Sequence, residues 1–158
     1  MATAKKIPDG FHTVTAYLIV RDIPKALDFY TRALGAKELF RMTGPDGKAV
    51  THAEIRIGDS TVMLGAEGGP MNAKSPLALG GTAASIYLYL EDVDSAFEKA
   101  TRAGGRVAMP VADMFWGDRY GKILDPFGHE WGLATHKEDL TPDQIGARAK
   151  EFFSALAK

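Results

Sequence analysis

The sequence predicts an α+β fold: tandem βαβββ modules followed by a C-terminal helix. Three observations predict the duplication. Asp22 and Asp92 stand 70 residues apart, and at the same offset Ala26 matches Ala96, Thr31-Arg32-Ala33 matches Thr101-Arg102-Ala103, Gly35 matches Gly105 and Gly58 matches Gly128. Agreement of helix caps, helix ends and turn glycines at one offset marks an internal repeat. Each half also sets one helical periodicity among several β-branched, alternating segments. Between the halves, Glu67 to Gly81 holds four Gly and two Pro in 15 residues without periodicity, the composition of a linker.

Taken in order, residues 1–12 read as a leader ending near a Pro8-Asp9-Gly10 turn. The first module spans 13–66. Thr13 to Val20 is β-branched and aromatic, a strand. Asp22 offers an N-cap, Pro24 sits in the first helical turn, and Ala26, Leu27, Tyr30, Ala33 and Leu34 share a helix face closed by Gly35. Ala36 to Met42, Val50 to Ile57 and Thr61 to Gly65 read as strands, separated by the turns Gly44-Pro45-Asp46-Gly47 and Gly58-Asp59-Ser60. After the linker, 67–82, the second module spans 83–136. It has a strand over Ala83 to Leu90, a cap at Asp92, a helix over Ser95 to Ala103 and a strand over Arg106 to Val111. A hairpin then runs from Tyr120 to Thr135 around Asp125-Pro126-Phe127-Gly128, with Pro fixing φ and Gly accepting φ > 0. Residues 137–158 carry the final helix, opened by Thr141-Pro142-Asp143 and striped by Ile145, Ala149, Phe152, Phe153 and Leu156.

Composition narrows the function classes. The 158 residues carry a net charge of −1 with no basic stripe, which argues against nucleic acid or an anionic membrane as partner. The absence of cysteine excludes disulfides, thiolate metal sites and cysteine nucleophiles, and fits a reducing compartment. Lys5-Lys6 is followed by Ile7-Pro8-Asp9-Gly10 rather than an apolar run, and Ala16 to Val20 is too short to span a bilayer, so a cytoplasmic protein is expected. No P-loop, dinucleotide fingerprint or Gly-x-Ser-x-Gly appears.

The segment Asp113 to His136 gathers both tryptophans, an arginine and two histidines around the hairpin. Together with Val20-Arg21-Asp22 leading to Phe29-Tyr30 and Leu34-Gly35, its Asp125-Pro126-Phe127-Gly128-His129 resembles the vicinal oxygen chelate superfamily. That superfamily includes glyoxalase I, extradiol dioxygenases, fosfomycin-resistance enzymes and bleomycin-binding proteins. Phe115-Trp116-Gly117-Asp118-Arg119-Tyr120-Gly121 and Ala134-Thr135-His136 resemble its PhnB-like branch. The resemblance implies that each module's mixed sheet is curled into a glyoxalase-like half-barrel with helices on the convex face, a cup as the site, and a homodimer, which the amphipathic final helix also supports.

It also implies where metal ligands would fall: on Thr15, Met63, Ser85 and Gly132. None of these is a His, Glu or Gln, and a thioether, a glycine and two neutral hydroxyls do not make a divalent-metal site. No metal and no other cofactor is therefore expected. Strand alternation turns Tyr17, Ile19, Tyr87 and Tyr89 inward with Thr15 and Ser85, giving a tyrosine-lined cup for a small molecule. Trp116 and Arg119 are the added ligand candidates, a ring to stack and a fork to hold an anion. The expected function is metal-independent binding of an aromatic or anionic small molecule. The alternative is a lyase, isomerase or dioxygenase with a relocated metal or acid–base site, for which His52, Glu54 and Asp113 are the candidates.

Overall fold

Asp22 and Asp92 open the two long inner helices in the same way, each accepting a hydrogen bond at 3.0 Å from the backbone N–H three residues on, at Lys25 and Ser95. A cap of this kind is worth about 1 kcal/mol. In the computed structural model, which describes residues 4–157, these caps start α1 (Ile23–Leu34) and α3 (Val93–Arg102). Residues 1–3 of the expected leader and Lys158 of the expected terminal helix lie outside the described residues.

The first module runs β1 (Ala16–Val20), α1, β2 (Lys37–Thr43), β3 (Val50–Ile57) and β4 (Ser60–Ala66). The second runs β5 (Ser85–Tyr89), α3, β6 (Arg106–Asp113), β7 (Asp118–Leu124) and β8 (Glu130–His136). Between them lies α2 (Pro76–Leu79), and α4 (Pro142–Leu156) ends the chain. The sheets have orders β1-β4-β3-β2 and β5-β8-β7-β6. Each first strand pairs parallel with the last, and the other pairs are antiparallel. Both sheets are mixed and open, with two free edges each; four strands are too few to close a barrel.

Two local readings differ. The first strand begins at Ala16 rather than Thr13, because the Thr15 hydroxyl donates back to the His12 carbonyl and holds the approach in a turn. The linker is not wholly irregular. Ser75 caps Pro76–Leu79, and Glu67 accepts from both the backbone N–H and the hydroxyl of Ser75.

One apolar core joins the modules. The helix-facing rows of the first sheet (Leu18, Val20, Ile55, Leu64) and of the second (Ile123, Trp131, Leu133) belong to the same buried cluster, with α1 packed on α3. Asp125 sits at the seam. Its Oδ1 accepts from the backbone N–H groups of Phe127 and His129, and its Oδ2 from Tyr30 Oη at 2.7 Å and Trp131 Nε1 at 2.8 Å. Gly128, at φ 89°, lets the turn close, and His129 Nε2 meets the Ile19 carbonyl at 3.0 Å. Among the described residues no helix is long and apolar enough to cross a membrane.

Candidate functional site

With the helices on one face of each sheet, alternation leaves the other face to carry polar and aromatic side chains. In the second sheet the pairing register lays these out in rows. Tyr87 stands beside Gly132 and Lys122, Tyr89 beside Ala134 and Tyr120, and Asp118 beside His136. A glycine at 132 leaves floor space that Tyr120 fills: a Cβ there would come within 2.7 Å of the Tyr120 ring and hydroxyl. Tyr87 stacks on Tyr120, with ring centroids 5.0 Å apart and planes 8° from parallel, and Tyr89 leans on Tyr87. Trp116, from the turn before β7, meets Tyr120 edge-on.

Asp118 organises these rings. It is only 3% exposed, yet its Oδ2 accepts from Tyr87 Oη (2.9 Å), Trp116 Nε1 (3.0 Å) and Tyr89 Oη (3.2 Å). Its Oδ1 lies 2.7 Å from His136 Nδ1, whose Nε2 lies 3.0 Å from Asp139. Burial opposes the charged form of Asp118, but the hydrogen bonds from His136, Tyr87, Trp116 and Tyr89 outweigh it and hold the carboxyl below its usual range. His136, between two carboxylates, is raised above its ordinary value by hydrogen bonds to Asp118 and then Asp139. Burial and the hydrogen bond to Asp118 push the Tyr87 phenol well up, and burial and the Asp118 charge raise Tyr89. Both tyrosines are neutral at physiological pH.

The first sheet repeats the geometry with other residues. Tyr17, Met63, Glu54 and Phe40 form one row, and Ile19, Gly65, His52 and Met42 the next. Tyr17 lies across Gly65 as Tyr120 lies across Gly132. The Tyr17 hydroxyl is 3.4 Å from His52 Nδ1, the two rings stack, and His52 Nε2 is 3.6 Å from Glu54. Thr15, Glu54 and Met63 line a cavity of about 640 Å³ whose other wall is leader residues Ile7, Phe11 and His12.

The expected residues therefore fall into three places. Thr15, Tyr17, Met63, His52 and Glu54 share the first face, and Ser85, Tyr87, Tyr89 and Trp116 belong to the second. Arg119 and Asp113 join neither. Because β7 begins at Asp118, alternation sends Arg119 to the helix side, where Asp94 takes its guanidinium at 2.6 and 2.7 Å and Asp113 at 3.1 Å. The ring-and-fork pair expected of Trp116 and Arg119 is thus split between opposite faces. The Asp113 side chain is 79% exposed and paired with Arg119, away from both faces. Asp118, Tyr120 and His136 were missed by sequence reasoning. The signal was the alternation Asp118, Tyr120, Lys122 along one face of β7.

The residues do not fit the superfamily's metal. Thr15 and Ser85 offer neutral hydroxyls, Met63 a thioether, and the space beside Gly132 is occupied by Tyr120. Among the described residues no three His, Cys, Asp or Glu side chains converge as a metal site would need.

Comparison with known proteins agrees with this architecture. The model of the Glyoxalase/Bleomycin resistance protein/Dioxygenase superfamily matches residues 10–133. The uncharacterized protein Rv0887c of Mycobacterium tuberculosis is 42% identical over 137 residues, covering 85% of this chain and 80% of that one. Among solved structures, TioX from Micromonospora sp. ML1 superposes with a TM-score of 0.63 at 28% identity, over 82% of this chain and 100% of that one. The PhnB protein from Bacillus cereus superposes with a TM-score of 0.58 at 19% identity, over 78% and 99%.

Proposed function

The chain belongs to the Glyoxalase/Bleomycin resistance protein/Dioxygenase superfamily, and from that premise we propose that it is a metal-independent small-molecule-binding protein of the PhnB-like branch, cytoplasmic and homodimeric. The ligand is aromatic and lies on the tyrosine face of the second sheet. The observation that carries this reading is the stacked Tyr87–Tyr120 pair, with Tyr87 and Tyr89 tied at their hydroxyls to Asp118. Fixed rings lose little entropy on binding and present flat faces for stacking. Independence from metal is supported by the donor chemistry at Thr15, Met63, Ser85 and Gly132. Association of two copies is supported by exposed apolar side chains on both open sheets and on α4, such as Phe40, Met42, Phe153 and Leu156.

Isothermal titration of the full chain with small aromatic probes tests the reading. Saturable binding at one site per chain, unaffected by chelator and weakened in Tyr87→Ala, is expected. Failure of every aromatic probe to bind would sink it, and a monomer by light scattering would remove the dimer.

A second reading, an enzyme, is favoured by the Tyr17–His52–Glu54 chain beside the first-face cavity. Those groups could move a proton to or from a bound molecule. It requires turnover that is lost in Glu54→Gln; turnover unchanged in that variant would remove Glu54 from the role.

A further inference from the structure

The second face is specific about hydrogen-bond polarity. An ionised carboxylate only accepts, so the hydroxyl protons of Tyr87 and Tyr89 and the indole N–H of Trp116 are committed to Asp118 Oδ2. A phenol whose proton is committed has only lone pairs left to offer. Tyr89 is the outermost of the set at 65% exposed, so a ligand on this face can use its hydroxyl only as an acceptor. Tyr120 lies flat below and is almost closed off.

The charges point the same way. Asp118 puts a carboxylate beneath the rings, while the neighbouring basic side chains are occupied. Glu130 holds Lys122 at 2.8 Å, and Asp118 and Asp139 hold His136. Arg119, the cation expected to grip an anion, is on the opposite side of the sheet in the hands of Asp94 and Asp113. An anion arriving on this face would meet lone pairs and a buried negative charge, with no free fork to hold it. A cation would meet ring faces, acceptor oxygens and a favourable field.

We propose that the tyrosine face of the second sheet selects an aromatic ligand bearing a hydrogen-bond donor, best a protonated amine, and discriminates against the matching carboxylate. The inference rests on the binding reading above and adds the chemical sign of the ligand.

A matched pair of probes with one ring and opposite charge tests it: 2-naphthylmethylammonium and 2-naphthoate, titrated calorimetrically into the full chain at neutral pH. The ammonium probe is expected to bind about tenfold more tightly, which is about 1.4 kcal/mol. Tyr89→Phe keeps the ring and removes the acceptor. It is expected to weaken the ammonium probe about threefold to tenfold and to leave the carboxylate no weaker. Asp118→Asn is expected to bring the two probes within about twofold of each other. Equal or tighter binding of 2-naphthoate overturns the inference and leaves the binding reading standing. An ammonium preference untouched by both variants also overturns it, because the selectivity would then arise elsewhere. If neither probe binds, the binding reading falls and takes the inference with it. Tyr89 is exposed, so its variant folds even if Asp118→Asn does not.

Discussion

The two sheets share a framework and differ in what they display. Both open with a tyrosine on the first strand, Tyr17 and Tyr87, paired to Met63 and Gly132 on the last. Both lay a tyrosine over a glycine of that last strand. One strand further in, Glu54 and His52 of the first sheet stand where Lys122 and Tyr120 stand in the second, and two residues before His52 and Tyr120 the strands carry Val50, packed against the shared core, and Asp118. That last difference matters most. Val50 can gather nothing, whereas Asp118 gathers two phenols, an indole and an imidazole. The caps, turn glycines and helix-facing rows repeat, and the differences at Asp118, at Tyr120 against His52 and at Tyr89 against Ile19 make one face a fixed aromatic platform. The other face stayed a looser histidine–glutamate pair under the leader.

Paired substitutions, one in each module, sharpen that contrast. The largest difference is expected at the turns before the last strands. Asp125→Ala strands four buried donors and should cost about 3 to 5 kcal/mol. Asp59→Ala, in the exposed short turn of the first module, should stay within about 0.5 kcal/mol. Urea unfolding measures both, and similar losses would break the comparison.

Next come the two floor glycines. Tyr120 is 6% exposed and pinned between Tyr87 and Trp116, so Gly132→Ala should cost about 1 to 3 kcal/mol as an overpacked site. Tyr17 is 52% exposed and can swing away, so Gly65→Ala should cost less than about 1 kcal/mol. A smaller effect, and an equal one, is expected at the shared caps: Asp22→Ala and Asp92→Ala should each lose about 1 kcal/mol. Unequal losses would mean that the helices are not interchangeable supports.

The smallest effect is pH-dependent and confined to the second face. The pKa of His136 is raised in the folded chain, so its contribution is fully present below its ordinary 6.5 and disappears as pH rises through the raised value. The Tm difference between the wild type and His136→Gln should therefore shrink from about pH 6 to about pH 9. A difference that grows over that range would contradict the Asp118–His136 pairing.

Much of the framework was legible in the sequence because its signals are local. A cap reads three residues ahead, a left-handed glycine such as Gly35 at φ 67° closes its own helix, and helix-facing rows repeat every second residue. The four-residue α2 was not, because one turn shows no periodicity even though Ser75-Pro76 announces it. The aromatic side of the site was half legible: alternation along β5 finds Tyr87 and Tyr89 together. Asp118 was not, because its partners come from β5, β8 and the preceding turn, and no local rule joins them. Arg119 misled for a related reason. Its closeness to Trp116 along the chain said nothing about which side of the sheet a strand starting at Asp118 would give it.

The contacts across the seam bear on how the chain folds. Each half carries a complete βαβββ module, and the linker between them invites the idea of two autonomous halves. Yet the Tyr30 hydroxyl ends on Asp125, His129 reaches the Ile19 carbonyl, and Phe29 and Tyr30 pack on Phe127 and Trp131. Cutting the chain in the linker would leave a buried carboxylate without its phenol and an aromatic core open along one side. The repeat is therefore expected to unfold as a single cooperative unit in one transition, two modules in topology but one in thermodynamics.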